Sequence, residues 1–316
     1  MAGILAASPA LFRWFAALAA AATALACWSA LRRFRGTTFA APVVWGAVGA
    51  GTVAAVETLL AAGALADRSL AASVARYVAA AGTFCGPMAV LGAKRPQDRG
   101  WQWIVAALWL VLALPALQGI VTRAGERVEL GGLWAAFLLV LAVYSTALNY
   151  GPTRFAFPAT LLLAAQGALL APATRRGQAV LWSDDQWTAL GAGLLFAAIV
   201  AAFRRGRAVG PGFAASDGNH ADPALRWLAF RDAFGLSWGL RIQHRVNETA
   251  RLARWPVRLS WRGFVAADPD SPSAVSPDAP AVAPPPDANE TLDTLLRRFE
   301  RSRPPEQKRP TVSGLA

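Results

Sequence analysis

The sequence predicts an all-α integral membrane protein: about seven transmembrane helices in an antiparallel bundle, then a small helical and irregular cytoplasmic tail. Three observations predict it. The composition is 55% apolar and 16% charged, against roughly 45–50% and 25% in soluble domains. Apolar stretches of about 20 residues recur through the first two-thirds of the chain, each bounded by charged or turn-forming residues. Beyond Phe203 the character changes, first to arginine-rich and then to proline-rich.

A helix needs about 20 mostly apolar residues to cross a hydrocarbon core of about 30 Å. The candidate spans are residues 14–31, 40–65, 70–93, 101–120, 133–150, 155–171 and 187–203, within a bundle of residues 1–207. The sixth is only just long enough. Short loops suit chain neighbours that run antiparallel, and no internal repeat is visible.

Arginine and lysine collect at cytoplasmic helix ends. Arg32, Arg33, Arg35, Lys94, Arg95, Arg99, Arg154, Arg204, Arg205 and Arg207 fall on one side of the membrane, ten in all. Arg13, Arg68, Arg123, Arg127, Arg175 and Arg176 make six on the other. The chain is therefore expected in a cell membrane of the bacterial inner-membrane type, amino terminus outside and carboxyl terminus in the cytoplasm. The net charge of +12 follows from the same preference. Anionic headgroups are the partner it implies, and nucleic acid is not.

The first span has a rival reading as a signal peptide, because Ala24-Leu25-Ala26 before Cys27 resembles a cleavage site. Cleavage would strand Arg32, Arg33 and Arg35 outside, against the charge rule, so an uncleaved span is expected. In the second span Gly46, Ala50 and Ala54 recur every four residues, as do Ala47, Gly51 and Ala55. Such spacing lets backbones approach closely, within the bundle or between copies in a homo-oligomer.

Residues 208–265 form a basic, amphipathic cytoplasmic segment in this reading. Asp222-Pro223 supplies an N-cap and a proline at the first helical position, predicting a helix to about Ala253 weakened at Gly235 and Gly239. Ile242, Val246, Thr249 and Ala253 share one face. Between Pro223 and Phe264 eight arginines stand against two acids, interleaved with Trp227, Trp238, Trp255 and Trp261. That mixture could bind single-stranded nucleic acid, but tethered to a span it better suits a membrane surface. Trp255, Val257, Leu259 and Trp261 alternate with polar residues at the period of a strand.

Residues 266–288 hold seven prolines and read as a disordered linker. Residues 289–303 read as a tethered amphipathic helix, and 304–316 as a disordered end. Leu292, Leu295, Leu296 and Phe299 form one stripe on that helix, a docking face for a protein partner.

Glu57 and Arg76 are the ionisable side chains lying clearly inside spans. Charge there is costly and marks either function or a structural pair. Both fall at similar depth on neighbouring spans, so an ion pair is expected, with recognition of a polar solute as the alternative. Phe84-Cys85-Gly86-Pro87 should break the third span at Gly86 and Pro87, and broken helices form binding sites in secondary transporters. The loop from Gly92 to Trp101 packs cations, proline and tryptophan at the cytoplasmic surface. Headgroup anchoring explains it, and a docking surface for the tail is the sharper alternative.

Several activities lack their residues. His220 and His244 are the only histidines, so residues 1–219 offer no imidazole to a haem or copper centre. Cys27 and Cys85 have no metal-ligand spacing. The seventh span has no lysine for a Schiff base, and no nucleotide-binding, zinc-protease or serine-hydrolase motif occurs in a suitable context. Asn247-Glu248-Thr249 matches a glycosylation pattern but falls on the cytoplasmic side. No catalytic, cofactor-binding or metal residue is assigned. The expected function is a non-catalytic membrane scaffold or accessory subunit presenting its basic tail. The alternative is a small-solute transporter or channel built on Glu57, Arg76 and the Gly86-Pro87 break.

Overall fold

The computed structural model describes residues 8–94, 98–122, 127–174, 182–207, 222–267 and 282–300. Six helical rods in it are long and apolar enough to cross a membrane: Pro9–Phe34, Ala40–Ala61, Leu70–Leu91, Gly100–Val121, Ala156–Thr174 and Asp184–Gly206. Large apolar side chains such as Leu110, Val121 and Leu133 stand exposed on the outside, as they do where lipid is the solvent. This is the make-up of an all-α membrane protein. The span expected over 133–150 falls on a shorter apolar segment, Gly132–Leu148. It consists of α7 (Gly132–Ala142) continued by a π-helical stretch over Val143–Leu148. Helix continues through Asn149 and Tyr150, and at about 1.5 Å per residue the whole stretch covers about 28 Å.

The first rod is α1 (Pro9–Ala30) with a 3-10 turn over Leu31–Phe34, and the second is α2 (Ala40–Ala61). The third divides into α3 (Leu70–Gly82) and α4 (Cys85–Leu91), the fourth into α5 (Asp98–Leu112) and α6 (Leu114–Thr122). The last two rods are α8 (Ala156–Thr174) and α9 (Asp184–Arg207).

Both divisions follow from proline. Pro87 has no N–H to give the carbonyl four residues earlier, that of Thr83. The buried Gln166 of α8 supplies the missing donor, its Nε2 lying 3.3 Å from Thr83 O. Beside Pro115 the N–H of Ala116 turns back to the Ala113 carbonyl at 3.0 Å. The Leu112 carbonyl instead accepts from the Tyr77 hydroxyl at 2.6 Å, and Trp134 Nε1 donates to that hydroxyl oxygen at 3.0 Å. With no water in hydrocarbon, each freed carbonyl needs such a partner.

Helix α2 meets α3 backbone to backbone. A Cβ on Gly49 would lie 2.6 Å from Gly82 O, so only glycine permits the approach. Of the two rows of small residues expected to pack, Ala50 is buried and Gly46 faces Cys27 of α1 and Gly86 of α4. Gly51 has open space around it and Ala55 is exposed, so the second row faces outward.

The tail is folded. It comprises α10 (Pro223–Leu252), an antiparallel hairpin of β1 (Val257–Ser260) and β2 (Gly263–Ala266), α11 (Pro286–Leu296) and a 3-10 turn over Arg297–Phe299. The Asp222 carboxylate caps α10 by accepting from the Ala224 N–H at 2.9 Å. The strand expected around Trp255–Trp261 is β1, and its partner β2 carried too short a pattern to be seen in the sequence. Asn247 holds β1 as a neighbouring strand would: its Oδ1 accepts from the Leu259 N–H at 2.8 Å and its Nδ2 donates to Leu259 O at 2.9 Å. The glycosylation-like asparagine thus has both ends of its amide engaged.

These elements share a second hydrophobic core, separate from that of the bundle. Trp227, Phe230, Phe234 and Trp238 of α10 pack with Leu292, Leu296 and Phe299, and against Phe39, Val90 and Ala93 of the bundle. The tail therefore caps one end of the bundle beside the loop that begins at Gly92. The apolar face of α10, expected to pack down on lipid or on the bundle, is turned into this core against the bundle because aromatic partners are within reach. The expected linker also ends early, with α11 starting at Pro286 rather than Asn289. Residues 208–221, 268–281 and 301–316 lie outside the described residues, and with them most of the expected linker, the end of the tethered helix and the disordered end.

Candidate functional site: a buried ion network and a docked cap

Glu57 and Arg76 meet face to face. Arg76 Nε and Nη2 donate to the two Glu57 carboxylate oxygens at 2.7 and 2.8 Å. The Glu57 side chain is 1% exposed, so its charge depends on this fork. Two further elements join them. Arg76 Nη2 also donates to Asp185 Oδ1 at 2.6 Å. Arg13 reaches both Asp185 oxygens, at 3.0 and 3.1 Å, and Arg13 Nη1 lies 2.6 Å from Asp67.

The result is a chain of two guanidiniums and three carboxylates tying α1, α2, α3 and α9 together, with Asp67 in the turn between α2 and α3. It runs from the sealed Glu57 to Asp67, whose side chain is 54% exposed. Asp185 stands in the first turn of α9, where a helix N-terminus favours negative charge.

The network leaves little room. A cavity beside it, lined by Val53, Glu57, Arg76, Ala79, Leu169 and Thr188, measures about 10 Å³, space for about one water. Gly86 and Pro87 lie elsewhere: a Cβ on Gly86 would meet Gly46 at 3.4 Å. Gly46 and Glu57 are separated by about 16 Å along α2, so the charge pair and the helix break do not form one site. Among the described residues no group of three or more His, Cys, Asp or Glu side chains could hold a metal ion.

Arg13, Asp67 and Asp185 escape a sequence reading because each stands at a span end, where charge is ordinary. The available signal was that all three fall on the side of the membrane toward which Glu57 and Arg76 are displaced.

The junction between bundle and cap is a second constellation. Helix α10 is interrupted at Gly235, with φ +75°. Tyr150 donates its hydroxyl proton to the Ala233 carbonyl at 3.2 Å, and Asn149 Oδ1 accepts from the Ser237 N–H at 3.0 Å. Two consecutive bundle residues thus satisfy both sides of the interruption. A Cβ on Gly235 would lie 2.4 Å from Asn149 Nδ2. Nearby, the buried Asp232 binds Arg231 at 2.7 Å and Arg154, ahead of α8, at 3.3 Å.

On the far side of the cap, the Phe299 ring lies 4.8, 4.9 and 5.0 Å from the centroids of Phe230, Phe234 and Trp238. Its carbonyl accepts from the Thr38 N–H and hydroxyl at 2.9 and 3.1 Å. Trp238 Nε1 donates to Val90 O at 2.9 Å, and Arg226 pairs with Asp293. Leu292, Leu296 and Phe299 are fully buried and Leu295 half-buried. The stripe expected to dock a partner is occupied by its own chain.

No protein-family model, no curated protein and no solved structure matches this chain.

Proposed function

We propose that the chain is a multi-pass cell-membrane protein of about seven antiparallel spans, with its amino terminus outside and its cap in the cytoplasm. It acts as a non-catalytic scaffold or accessory subunit. The observation that carries this reading is the second core, which builds a rigid basic platform on the end of the bundle. Arg241, Arg245 and Arg254 are exposed on it and suit anionic headgroups or an acidic protein surface. A partner engaging the region around α11 would meet its outward side chains, Glu290, Thr294, Arg297 and Arg298.

The alternative, a small-solute transporter or channel, draws support from the buried charges. Against it weigh the water-sized cavity beside Glu57 and the distance from there to the proline break.

Photo-crosslinkers placed in living cells at Glu290 and Thr294 should capture one common protein, and one at lipid-facing Leu133 should not. Charge reversal at Arg297 and Arg298 should abolish the adduct. Absence of any common adduct, together with solute flux in proteoliposomes that Glu57→Gln alters, would favour the transporter. A reporter fused after Ala316 should be cytoplasmic, and a reporter on the outer face would overturn the orientation.

A further inference from the structure

Where α1 gives way to α2, a half-open groove of about 680 Å³ is lined by Leu25, Trp28, Ser29, Leu31, Arg32 and Arg35. That volume is typical of a small-molecule site, roughly 300–1,000 Å³. Leu25, Trp28, Ser29 and Arg32 stand at i, i+3, i+4 and i+7, so they share one face. Read toward the helix end, they present an aliphatic chain, an indole, a hydroxyl and a guanidinium. An acidic phospholipid presents the matching order: acyl chain, glycerol ester, phosphate.

The arginines of this groove have no carboxylate partner among the described residues. Among the described residues Arg32, Arg33 and Arg35 make no ion pair, as is also true of Arg68, Arg204 and Arg205, whereas Arg13, Arg76, Arg127 and Arg154 each do; only the first three cluster beside a groove. Glu300 is brought to the same turn by its backbone bridge with Thr37, yet it pairs with none of the three. The Trp28 indole N–H has no acceptor among the described residues, and that side chain is 65% exposed. Ser29 gives its own proton to Ala26 O at 2.8 Å, so its oxygen remains only as an acceptor.

We propose that this groove binds one molecule of an acidic phospholipid, its phosphate between Arg32 and Arg35 and one acyl chain along Leu25 and Trp28. The site stands independently of the scaffold reading.

The test uses the full chain in detergent micelles with phosphatidylcholine, titrated with phosphatidylglycerol and read by native mass spectrometry. The wild type should take up one phosphatidylglycerol in preference to phosphatidylcholine. Arg32→Gln/Arg35→Gln should weaken that binding about tenfold or more. Ser29→Trp, which fills the groove and keeps both arginines, should do the same. Arg68→Gln/Arg204→Gln removes equal charge from other exposed positions and should leave binding unchanged. Should the arginine variant fail to elute as the wild type does on gel filtration, Ser29→Trp decides alone. Equal loss in both double variants, no effect of Ser29→Trp, or no preference in the wild type would overturn the proposal. Displacement by excess inorganic phosphate would overturn it too, marking the groove as a site for free anions.

Discussion

Replacing Glu57 by Gln removes a negative charge from a side chain that is 1% exposed and faces Arg76 through two hydrogen bonds of 2.7 and 2.8 Å. Removing one partner of a buried ion pair costs about 3–5 kcal/mol, because the other charge is left uncompensated. Arg76 retains Asp185 at 2.6 Å, which places Glu57→Gln at the low end, about 3 kcal/mol. Arg76→Gln leaves the Glu57 carboxylate sealed with no cation in contact, so it should cost more, about 4 kcal/mol. In the double variant two neutral amides can hydrogen-bond each other, and the loss should be about 4–5 kcal/mol, well short of the sum. Unfolding in mixed micelles by added dodecyl sulfate, followed by tryptophan fluorescence, measures all three. If the double variant equals the sum of the singles within about 0.5 kcal/mol, the two charges do not stabilise one another and the network has no structural role.

Gly235→Ala should loosen the cap by about 3 kcal/mol, from positive φ and the collision with Asn149, and trypsin should then cut α10 faster. Gln166→Leu leaves the Thr83 carbonyl unpaired and should cost about 1–3 kcal/mol. Adding Pro87→Ala restores a backbone donor and should recover part of that loss in the same unfolding assay; no recovery would mean that the glutamine is not replacing the proline's missing N–H. Phe299→Ala removes a ring packed on three others and should destabilise the cap by about 3–5 kcal/mol. Altered tryptophan emission and earlier proteolysis of α11 would report it, and wild-type behaviour would show that the helix does not occupy this seat in solution.

Much of this molecule is legible along the chain because transfer into hydrocarbon is summed residue by residue over a local stretch. Six apolar rods and the change of character past Phe203 announce themselves that way, and the N-cap at Asp222 is read from residue type. The pairing of Glu57 with Arg76 also comes within reach, since a tight turn fixes their relative depth. The segment at 133–150 shows the limit: its composition is that of a span and it is helical throughout, yet Val143–Leu148 are wound as a π-helix, which composition does not announce. The stripe Leu292, Leu295, Leu296 and Phe299 shows another. Periodicity reveals that a face must be buried and says nothing of what buries it.

What the sequence by itself determined is the solvent, lipid for the rods and water for much of the tail, and the break of the third rod at Gly86 and Pro87. Only the tertiary structure decided the partners: Asp185 and Arg13 joining the ion network, Gln166 answering Pro87, Asn149 and Tyr150 bridging the interruption at Gly235, and α11 seated on its own bundle. Each of these is a contact of a few ångströms between residues tens to hundreds of positions apart. Its strength depends on distance and burial, quantities that exist only after the helices have packed.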